Sequence, residues 1–370
     1  MNSEALRVVY RLQAVGTDAT RRAEALAVEQ SIEMPLEAVT DDRVLNDVVA
    51  QVEAIEPKAH GTSHARLALS AESIGHDAGQ LMNMLFGNSS LLDDVRVVDV
   101  QLPAMLSRHF GGPQLGLDGI RRLTGVARRA LSCTALKPIG SSVADLSRMT
   151  RVFCEAGLDV IKDDHGWAAD APASFRERVV ACQREVDVVG RGRSTRTLYA
   201  PAISGSLDEL RDQIRFAQAQ GVSMVLVAPM IVGVSNFHAL RREFPSMAFL
   251  AHPALAGNQV APTALLGTLF RLFGADAVIF PNHGGRFSYT REVCAGIADR
   301  LRAPLHGLKG ALPVPAGGMS VERVHELVGE YGHDSMLLIG GSLLIARDQL
   351  AARSRAFVDV VAAASSEVAA

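Results

Sequence analysis

The stretch "GLDVIKDDHG", residues 157–166, ends an apolar run with four ionisable side chains in a row. Its first half carries the aliphatic and β-branched residues that are typical of a buried strand. Lys162, Asp163, Asp164 and His165 follow without a turn residue between them and the strand. Because buried charged groups are costly unless they are paired, the stretch predicts a strand whose carboxyl end opens into a functional site.

The same alternation of apolar runs and helical stretches continues through the chain after residue 130. Eight strand-like runs occupy residues 131–137, 158–162, 197–203, 223–229, 247–251, 276–280, 311–316 and 335–340. Eight strand–helix units in roughly 240 residues match the size of a (β/α)₈ TIM barrel. A doubly wound open sheet is the structural alternative, which the lack of a GxGxxG turn after the first strand disfavours.

The N-terminal third of the chain has a different character. The runs "ALRVVYRLQA" (5–14) and "ARLALSAES" (65–73) predict sheet strands, and "TRRAEALAVEQSIE" (20–33) predicts a helix. We therefore expect an N-terminal α+β domain of the ferredoxin-like kind over residues 1–112, followed by the barrel over 113–370.

Composition restricts the partners and the compartment. The formal net charge of −3 gives no basic surface for nucleic acid or an anionic membrane. No apolar run approaches the roughly 20 residues that a membrane span requires, and the N-terminus lacks the layout of a signal peptide. The four cysteines contain no CxxC pair. These features predict a cytoplasmic globular protein without nucleic-acid or membrane partners.

Polar and glycine residues follow several of the predicted barrel strands. They are Lys137, Lys162 to His165, His252, Asn282 to Arg286, the pair Gly317 and Gly318, and the pair Gly340 and Gly341. A glycine pair between strand and helix can bind an oxyanion through free N–H groups, although either pair alone is more often a plain tight turn. Together at one end of a barrel, these residues favour a metal-assisted site that binds a phosphate.

Several of these motifs resemble a known family. "LKPIG", "GLDVIKDDHG", "PVPAGGM" and "IGGSLL" are similar, in order and spacing, to barrel motifs of the RuBisCO superfamily. "HGTSHARL" and "MNMLFGNSSLLDDVRVVDVQLP" resemble its N-terminal segments. The resemblance covers nearly the whole chain. It implies a homodimer whose active sites lie between one subunit's barrel and the partner's N-terminal domain.

The resemblance also implies roles for individual residues. Lys162 matches the lysine that CO₂ carbamylates and that then binds one Mg²⁺ per site, Asp164 matches a metal-binding aspartate, and Lys137 matches an acid/base lysine. The remaining matches are the active-site histidines His252 and His283, the phosphate-loop glycines Gly317, Gly318, Gly340 and Gly341, the N-domain phosphate ligands Thr62 and Ser63, and Asn88, which reaches in from the partner subunit.

The chain also departs from the pattern of the carboxylating enzymes. His165 stands where those enzymes carry a glutamate ligand, so it is either a softer metal ligand or an acid/base group. Pro253 replaces an arginine that binds a second phosphate, and Ile139 replaces a second lysine. The loop "GGRFSYTREVCAG" lacks the lysine that carboxylation requires. These departures predict a RuBisCO-like protein, of form IV, that does not fix CO₂.

The resemblance implies metal-dependent enolisation of a phosphorylated ketose. Compact RuBisCO-like proteins include methylthioribulose-1-phosphate isomerases of sulfur and methionine salvage, and we expect this isomerase activity. The first alternative is a decarboxylase of a 3-oxo sugar-acid phosphate, in which CO₂ loss leaves the same enediolate. The others are a non-catalytic protein that retains the fold and an unrelated barrel aldolase that forms a Schiff base without metal.

Overall fold

Two separate sheets organise the computed structural model. It describes residues 5–168, 173–257, 259–287 and 289–368. The first sheet consists of β1 (Leu6–Leu12), β2 (Gln51–Lys58), β3 (Thr62–Leu69) and β4 (Val95–Gln101). Its order is β2-β3-β1-β4, with antiparallel pairing throughout.

Two helices complete this N-terminal unit, namely α1 (Gly16–Glu29) and α2 (Ala78–Phe86). Alternate side chains of β1 are buried, and Tyr10 on that buried face donates a hydrogen bond of 2.7 Å to the carbonyl of Leu85 on α2. The βαββαβ order confirms the expected α+β, ferredoxin-like arrangement. The domain boundary at residue 112 stays a prediction.

The second sheet contains eight parallel strands. They are β5 (Leu131–Leu136), β6 (Val160–Asp163), β7 (Leu198–Ala200), β8 (Met224–Val227), β9 (Ala248–Ala251), β10 (Ala277–Pro281), β11 (Leu312–Ala316) and β12 (Met336–Leu338). Hydrogen bonds of 2.9 Å from Leu226 N to Pro201 O and from Ile203 N to Leu226 O join the first and last strands of the order. The sheet is therefore a barrel and not the open doubly wound alternative.

Helices surround the barrel strands. They are α3 (Ala104–Phe110), α4 (Gly116–Thr124), α5 (Val143–Ala156), α6 (Phe175–Gly190), α7 (Leu207–Ala219), α8 (Pro229–Val232), α9 (Val234–Glu243), α10 (Phe270–Leu272), α11 (Arg291–Arg302), α12 (Val324–Tyr331), α13 (Gly341–Leu344) and α14 (Leu350–Val368). No helix in the described part of the chain combines the length and apolarity needed to cross a membrane.

The interior of the barrel is a separate apolar core, to which Leu131, Val160 and Leu250 belong, and Ile120 of α4 is part of the same cluster. Side chains on a strand alternate between its two faces. Lys162, two residues after Val160, therefore points toward the barrel axis, and His252 does so two residues after Leu250. The sequence thus places its polar strand ends directly above this core.

Candidate active site

Five polar residues meet at the carboxyl ends of the barrel strands. They are Lys137, Lys162, Asp164, His165 and His252, which we call the mouth cluster. Lys162 is buried, and its Nζ donates a hydrogen bond of 2.9 Å to the carbonyl of Asp163. Burial lowers the pKa of Lys162. A lowered pKa favours the neutral amine, which is the form that can react with CO₂.

Asp164 is the anionic centre of the mouth cluster. It accepts hydrogen bonds from the ammonium of Lys137, from His165 Nδ1 at 3.0 Å and from Gly166 N at 3.4 Å. Burial raises the pKa of Asp164, but the hydrogen bonds from His165 and Lys137 outweigh that effect and hold the pKa well below its ordinary value. The carboxylate is therefore ionised and can bind a cation.

His165 and His252 lie face to face in the mouth cluster. Their ring centroids are 3.9 Å apart and the rings are inclined by 14°. His252 Nδ1 accepts a hydrogen bond of 3.1 Å from Ala254 N, so the neutral ring carries its proton on Nε2. Burial lowers the pKa of His252 to about 2. His252 is therefore a neutral hydrogen-bond donor.

Asp163 points the opposite way, into the wall between barrel and helices. Its carboxylate accepts hydrogen bonds from Tyr199 Oη at 2.8 Å, Arg178 Nε at 3.2 Å and Ala202 N at 3.2 Å. Asp163 and Arg178 are both fully buried. Burial raises the pKa of Asp163, and Arg178 opposes that shift. Asp163 is thus a structural ion-pair partner that lies outside the mouth.

The glycine pairs after β11 and β12 border open space. Gly317 and Gly318 have left-handed φ angles of +81° and +67°. At Gly317, Gly340 and Gly341, no described atom outside the immediate chain lies within 4 Å of the position that a Cβ would occupy. These loops therefore leave room for a small oxyanion beside exposed backbone. Their phosphate-binding role stays a prediction.

His283 has different neighbours. Its Nε2 lies 2.8 Å from Glu330 Oε2 and 4.0 Å from Glu326 Oε1, both on the outer helix α12. This trio has the ligand types of a metal site. However, Arg291 and Arg323 already form ion pairs with Glu326, and Arg291 also approaches Glu330. The structure thus pairs His283 with helix α12 and not with the mouth cluster, and its active-site role stays a prediction.

The predicted N-domain residues are engaged within their own domain. Thr62 Oγ1 donates to the carbonyl of Ala59 at 2.9 Å, and Ser63 Oγ donates to that of Ala14 at 2.8 Å. Both residues are buried. Their hydroxyl protons are therefore already used, and a role as phosphate ligands stays a prediction.

Asn88 stands beside two acids that sequence reasoning did not single out. Its amide nitrogen donates to Glu29 Oε1 at 3.2 Å and to Glu33 Oε1. Glu33 also has a left-handed φ of +53°, which is uncommon outside glycine. Only the folded contact identifies this pair, because the acids lie more than fifty residues before Asn88 in the chain.

Exposed apolar side chains surround the barrel mouth. The mouth set consists of Ile139, Ile231, Leu255, Phe287 and Ile345, which follow five different barrel strands and are 48–80% exposed. A second set near Asn88 consists of Met34, Leu36 and Leu91. Exposed apolar residues of this size mark an interaction site where they form one contiguous patch.

Known proteins share this architecture and sequence. The family model "Ribulose bisphosphate carboxylase large chain, catalytic domain" matches residues 116–364. The chain is 50% identical, over 98% of both sequences, to a protein of Rhodospirillum rubrum named 5-methylthioribulose-1-phosphate isomerase. It is 32% identical, over 75% of this chain and 70% of the relative, to a Geobacillus thermodenitrificans protein named 2,3-diketo-5-methylthiopentyl-1-phosphate enolase.

A solved structure agrees with these relatives. The crystal structure of a Rubisco-like protein from Rhodopseudomonas palustris superposes with a TM-score of 0.91 at 44% identity, covering 97% of this chain and 98% of that one. The barrel, the strand-end motifs and the extent of these matches lead to one assignment. The chain belongs to the RuBisCO large-chain family and is one of its RuBisCO-like proteins.

Proposed function

We propose that this protein is a metal-dependent isomerase of a phosphorylated ketose, with 5-methylthioribulose 1-phosphate as its substrate. The observation that carries the proposal is the contact of Lys137 with Asp164 beside the buried amine of Lys162, at the ends of adjacent strands. The name of the Rhodospirillum rubrum relative supports the choice of substrate. Pro253 and Ile139, in place of the expected arginine and lysine, support the absence of CO₂ fixation.

Lys162, Asp164 and His165 would hold one Mg²⁺. The donor set fits, because Asp164 is an ionised carboxylate and Lys162 offers oxygen ligands once its Nζ has bonded to CO₂ and lost a proton. His165 contributes a nitrogen, which Mg²⁺ accepts less readily than oxygen. When bound, Mg²⁺ polarises a substrate carbonyl and so acidifies the neighbouring carbon–hydrogen bond.

The surrounding residues would complete the proton transfer. Isomerisation moves a proton from the carbon on one side of a carbonyl to the carbonyl carbon itself, so the site must both accept and donate protons. Lys137 reaches the metal-binding carboxylate and is placed to exchange a proton with the substrate. Neutral His252 can donate a hydrogen bond from Nε2 to a substrate oxygen without adding charge.

The glycine loops would supply binding energy away from the reacting carbons. A phosphate bound at Gly317, Gly318, Gly340 and Gly341 fixes the distance between the phosphate end and the mouth cluster. Remote anchoring of this kind lowers the barrier by holding the reacting carbons in one orientation.

The same proposal includes a homodimer with shared sites and a cytoplasmic location. The apolar mouth set and the apolar residues near Asn88 are surfaces that a second copy would cover. Asn88, with Glu29 and Glu33, would then face the partner's barrel.

A second candidate is enolisation of a diketone phosphate, which the name of the Geobacillus relative favours. It requires the same proton abstraction and differs in the position of the second carbonyl. The decarboxylase alternative requires a substrate carboxylate in place of the abstracted hydrogen. Product analysis by NMR separates the three reactions, because only decarboxylation releases CO₂, only isomerisation converts one ketose phosphate into an isomeric ketose phosphate, and diketone enolisation yields an enol.

The test is the dependence of turnover on Mg²⁺, bicarbonate and Lys162. We expect EDTA to abolish isomerisation of 5-methylthioribulose 1-phosphate, and bicarbonate to increase it in decarbonated buffer. Lys162→Ala should lose both turnover and Mg²⁺ binding. Lys309→Ala is the control, since Lys309 precedes β11 at the opposite end of the barrel. Full activity of Lys162→Ala in EDTA would refute the proposal.

A further inference from the structure

The loops that follow β10 and β11 touch through their backbones. A Cβ on Gly285 would lie 2.8 Å from the carbonyl oxygen of Gly317. A Cβ on Gly318 would lie 2.4 Å from Gly285 Cα, a distance that real Cβ atoms do not reach. Glycine is therefore required on both sides of this contact. The conformation of the Gly317–Gly318 segment consequently depends on where the preceding loop lies.

Arg323, just before helix α12, binds one carbonyl of each loop. Its Nη1 donates to the carbonyl of His283 at 3.3 Å and to that of Gly318 at 3.4 Å. Glu326, one turn further on, accepts hydrogen bonds from Nε at 3.0 Å and Nη2 at 2.9 Å. This bidentate interaction with a carboxylate fixes the plane of the guanidinium. Nη1 also lies close to Gly284, at 3.3 Å from the position of its Cβ.

We propose that Arg323 is a positioning residue for the phosphate of the substrate. Held by Glu326, it ties the loop after β10 to the loop after β11 and so aims the backbone N–H groups of Gly317 and Gly318 at the phosphate oxygens. The inference rests on the proposed function, because it presumes that these glycines bind phosphate. It also assigns Glu326 of the His283–Glu326–Glu330 trio a structural role, since its carboxylate binds Arg323 and is not free to bind a metal.

The size of the effect follows from geometry. Oxyanion binding depends on donors that lie close to 2.7–3.1 Å from the anion, and misplacement by about 1 Å can cost about a hundredfold in rate. Without Arg323, the carbonyls of His283 and Gly318 lose the donor that they share, so the contact of Gly285 with Gly317 and Gly318 is less firmly fixed. Phosphate affinity should therefore fall although Arg323 itself does not touch the ligand.

The experiment measures binding of inorganic phosphate to the full-length protein by isothermal titration calorimetry. Arg323→Ala should weaken binding by about tenfold or more, the range for a lost hydrogen bond to a charged group. The phosphate affinity of Arg323→Lys should lie between those of the wild type and Arg323→Ala, because lysine keeps the positive charge but lacks the several N–H donors of the guanidinium. In turnover assays, KM for 5-methylthioribulose 1-phosphate should rise more than kcat falls.

Arg353→Ala is the matched control. Arg353 pairs with Glu322, beside Arg323, but contacts neither loop carbonyl in the described structure. Its phosphate affinity should equal that of the wild type. Gly285→Ala disturbs the contact of Gly285 with Gly317 and Gly318 directly, and it should weaken phosphate binding as Arg323→Ala does.

Two results would overturn the inference. One is a folded Arg323→Ala protein, judged by circular dichroism, that binds phosphate as tightly as the wild type. The other is a wild-type protein that binds no inorganic phosphate at millimolar concentration. If the wild type turns over its substrate, the first result leaves the isomerase proposal intact. If the wild type shows no isomerase activity but binds phosphate in a way that depends on Arg323, only the proposed reaction is refuted.

Discussion

The alternation of side chains along β6 explains why four ionisable residues end one strand. Lys162 and Asp164 face the barrel mouth, and Asp163 between them faces Arg178 in the wall. Asp163 therefore has its cation in the wall and Asp164 has Lys137 in the mouth, as the cost of unpaired buried charge demands. A shift of register by one residue would exchange these roles and place Asp163 in the mouth.

His165 is the residue whose substitution best probes the proposed metal site. Its Nδ1 contacts Asp164 and its ring covers His252. We predict that His165→Glu binds Mg²⁺ more tightly than the wild type, because it adds an anionic oxygen ligand, and that His165→Ala binds it more weakly. Isothermal titration of the three proteins with Mg²⁺ measures this order. Equal affinities would mean that residue 165 does not ligate the metal.

At the scale of elements, the Asp163–Arg178 pair joins strand β6 to helix α6. We predict that Arg178→Met lowers the free energy of unfolding by about 3–5 kcal/mol, because it leaves the carboxylate of Asp163 buried without its cation. Arg176→Met on the same helix is the control. Arg176 is exposed and its guanidinium stacks 4.5 Å from the ring centre of Phe216. This substitution should lower the free energy of unfolding by less than about 1 kcal/mol.

Denaturant unfolding followed by circular dichroism gives both values. The double variant Asp163→Asn, Arg178→Met should recover part of the lost stability, since it removes both charges. An Arg178→Met protein as stable as the wild type would contradict a structural role for the pair.

Sequence patterns predicted the barrel elements because each strand is a short apolar run with a polar end. The predicted runs overlap all eight strands, with bounds that differ by at most three residues. Strand β2 was not predicted, because it lies at the edge of its sheet and none of its eight residues is buried. The pattern has no signal at such an edge.

Side-chain direction after the strands was harder to predict. Lys137, Lys162 and His252 continue the inward alternation of their strands, so their positions in the mouth cluster follow from the sequence pattern, and their roles stay predictions. His283 comes two residues after β10 ends, where alternation no longer applies, and its contact is with Glu330. The partners of Asn88 required long-range folding to bring α1 beside it.

At the scale of the whole molecule, we predict that the active unit is a dimer with shared sites. Asn88→Ala and Lys162→Ala should each abolish activity alone, because each removes one side of every site. After subunit exchange, the mixture should regain up to about a quarter of wild-type activity, since half of the molecules are then hybrids with one intact site each.

Subunit exchange is followed by mass spectrometry of differently tagged proteins. A mixture that exchanges fully yet stays inactive would rule out shared sites. Substituting Leu91, which is 83% exposed, by lysine should shift the protein toward monomers in size-exclusion chromatography with light scattering. An unchanged mass would show that this apolar set lies outside the interface.

The central claim is that the mouth cluster enolises a phosphorylated ketose, and proton NMR of 5-methylthioribulose 1-phosphate in D₂O tests it most directly. With Mg²⁺ and bicarbonate present, the wild-type protein should replace a carbon-bound hydrogen next to the carbonyl by deuterium and form an isomeric ketose phosphate. Lys162→Ala should do neither. A wild-type sample whose substrate keeps all its carbon-bound hydrogens, or a Lys162→Ala sample that exchanges at the wild-type rate, would contradict the account.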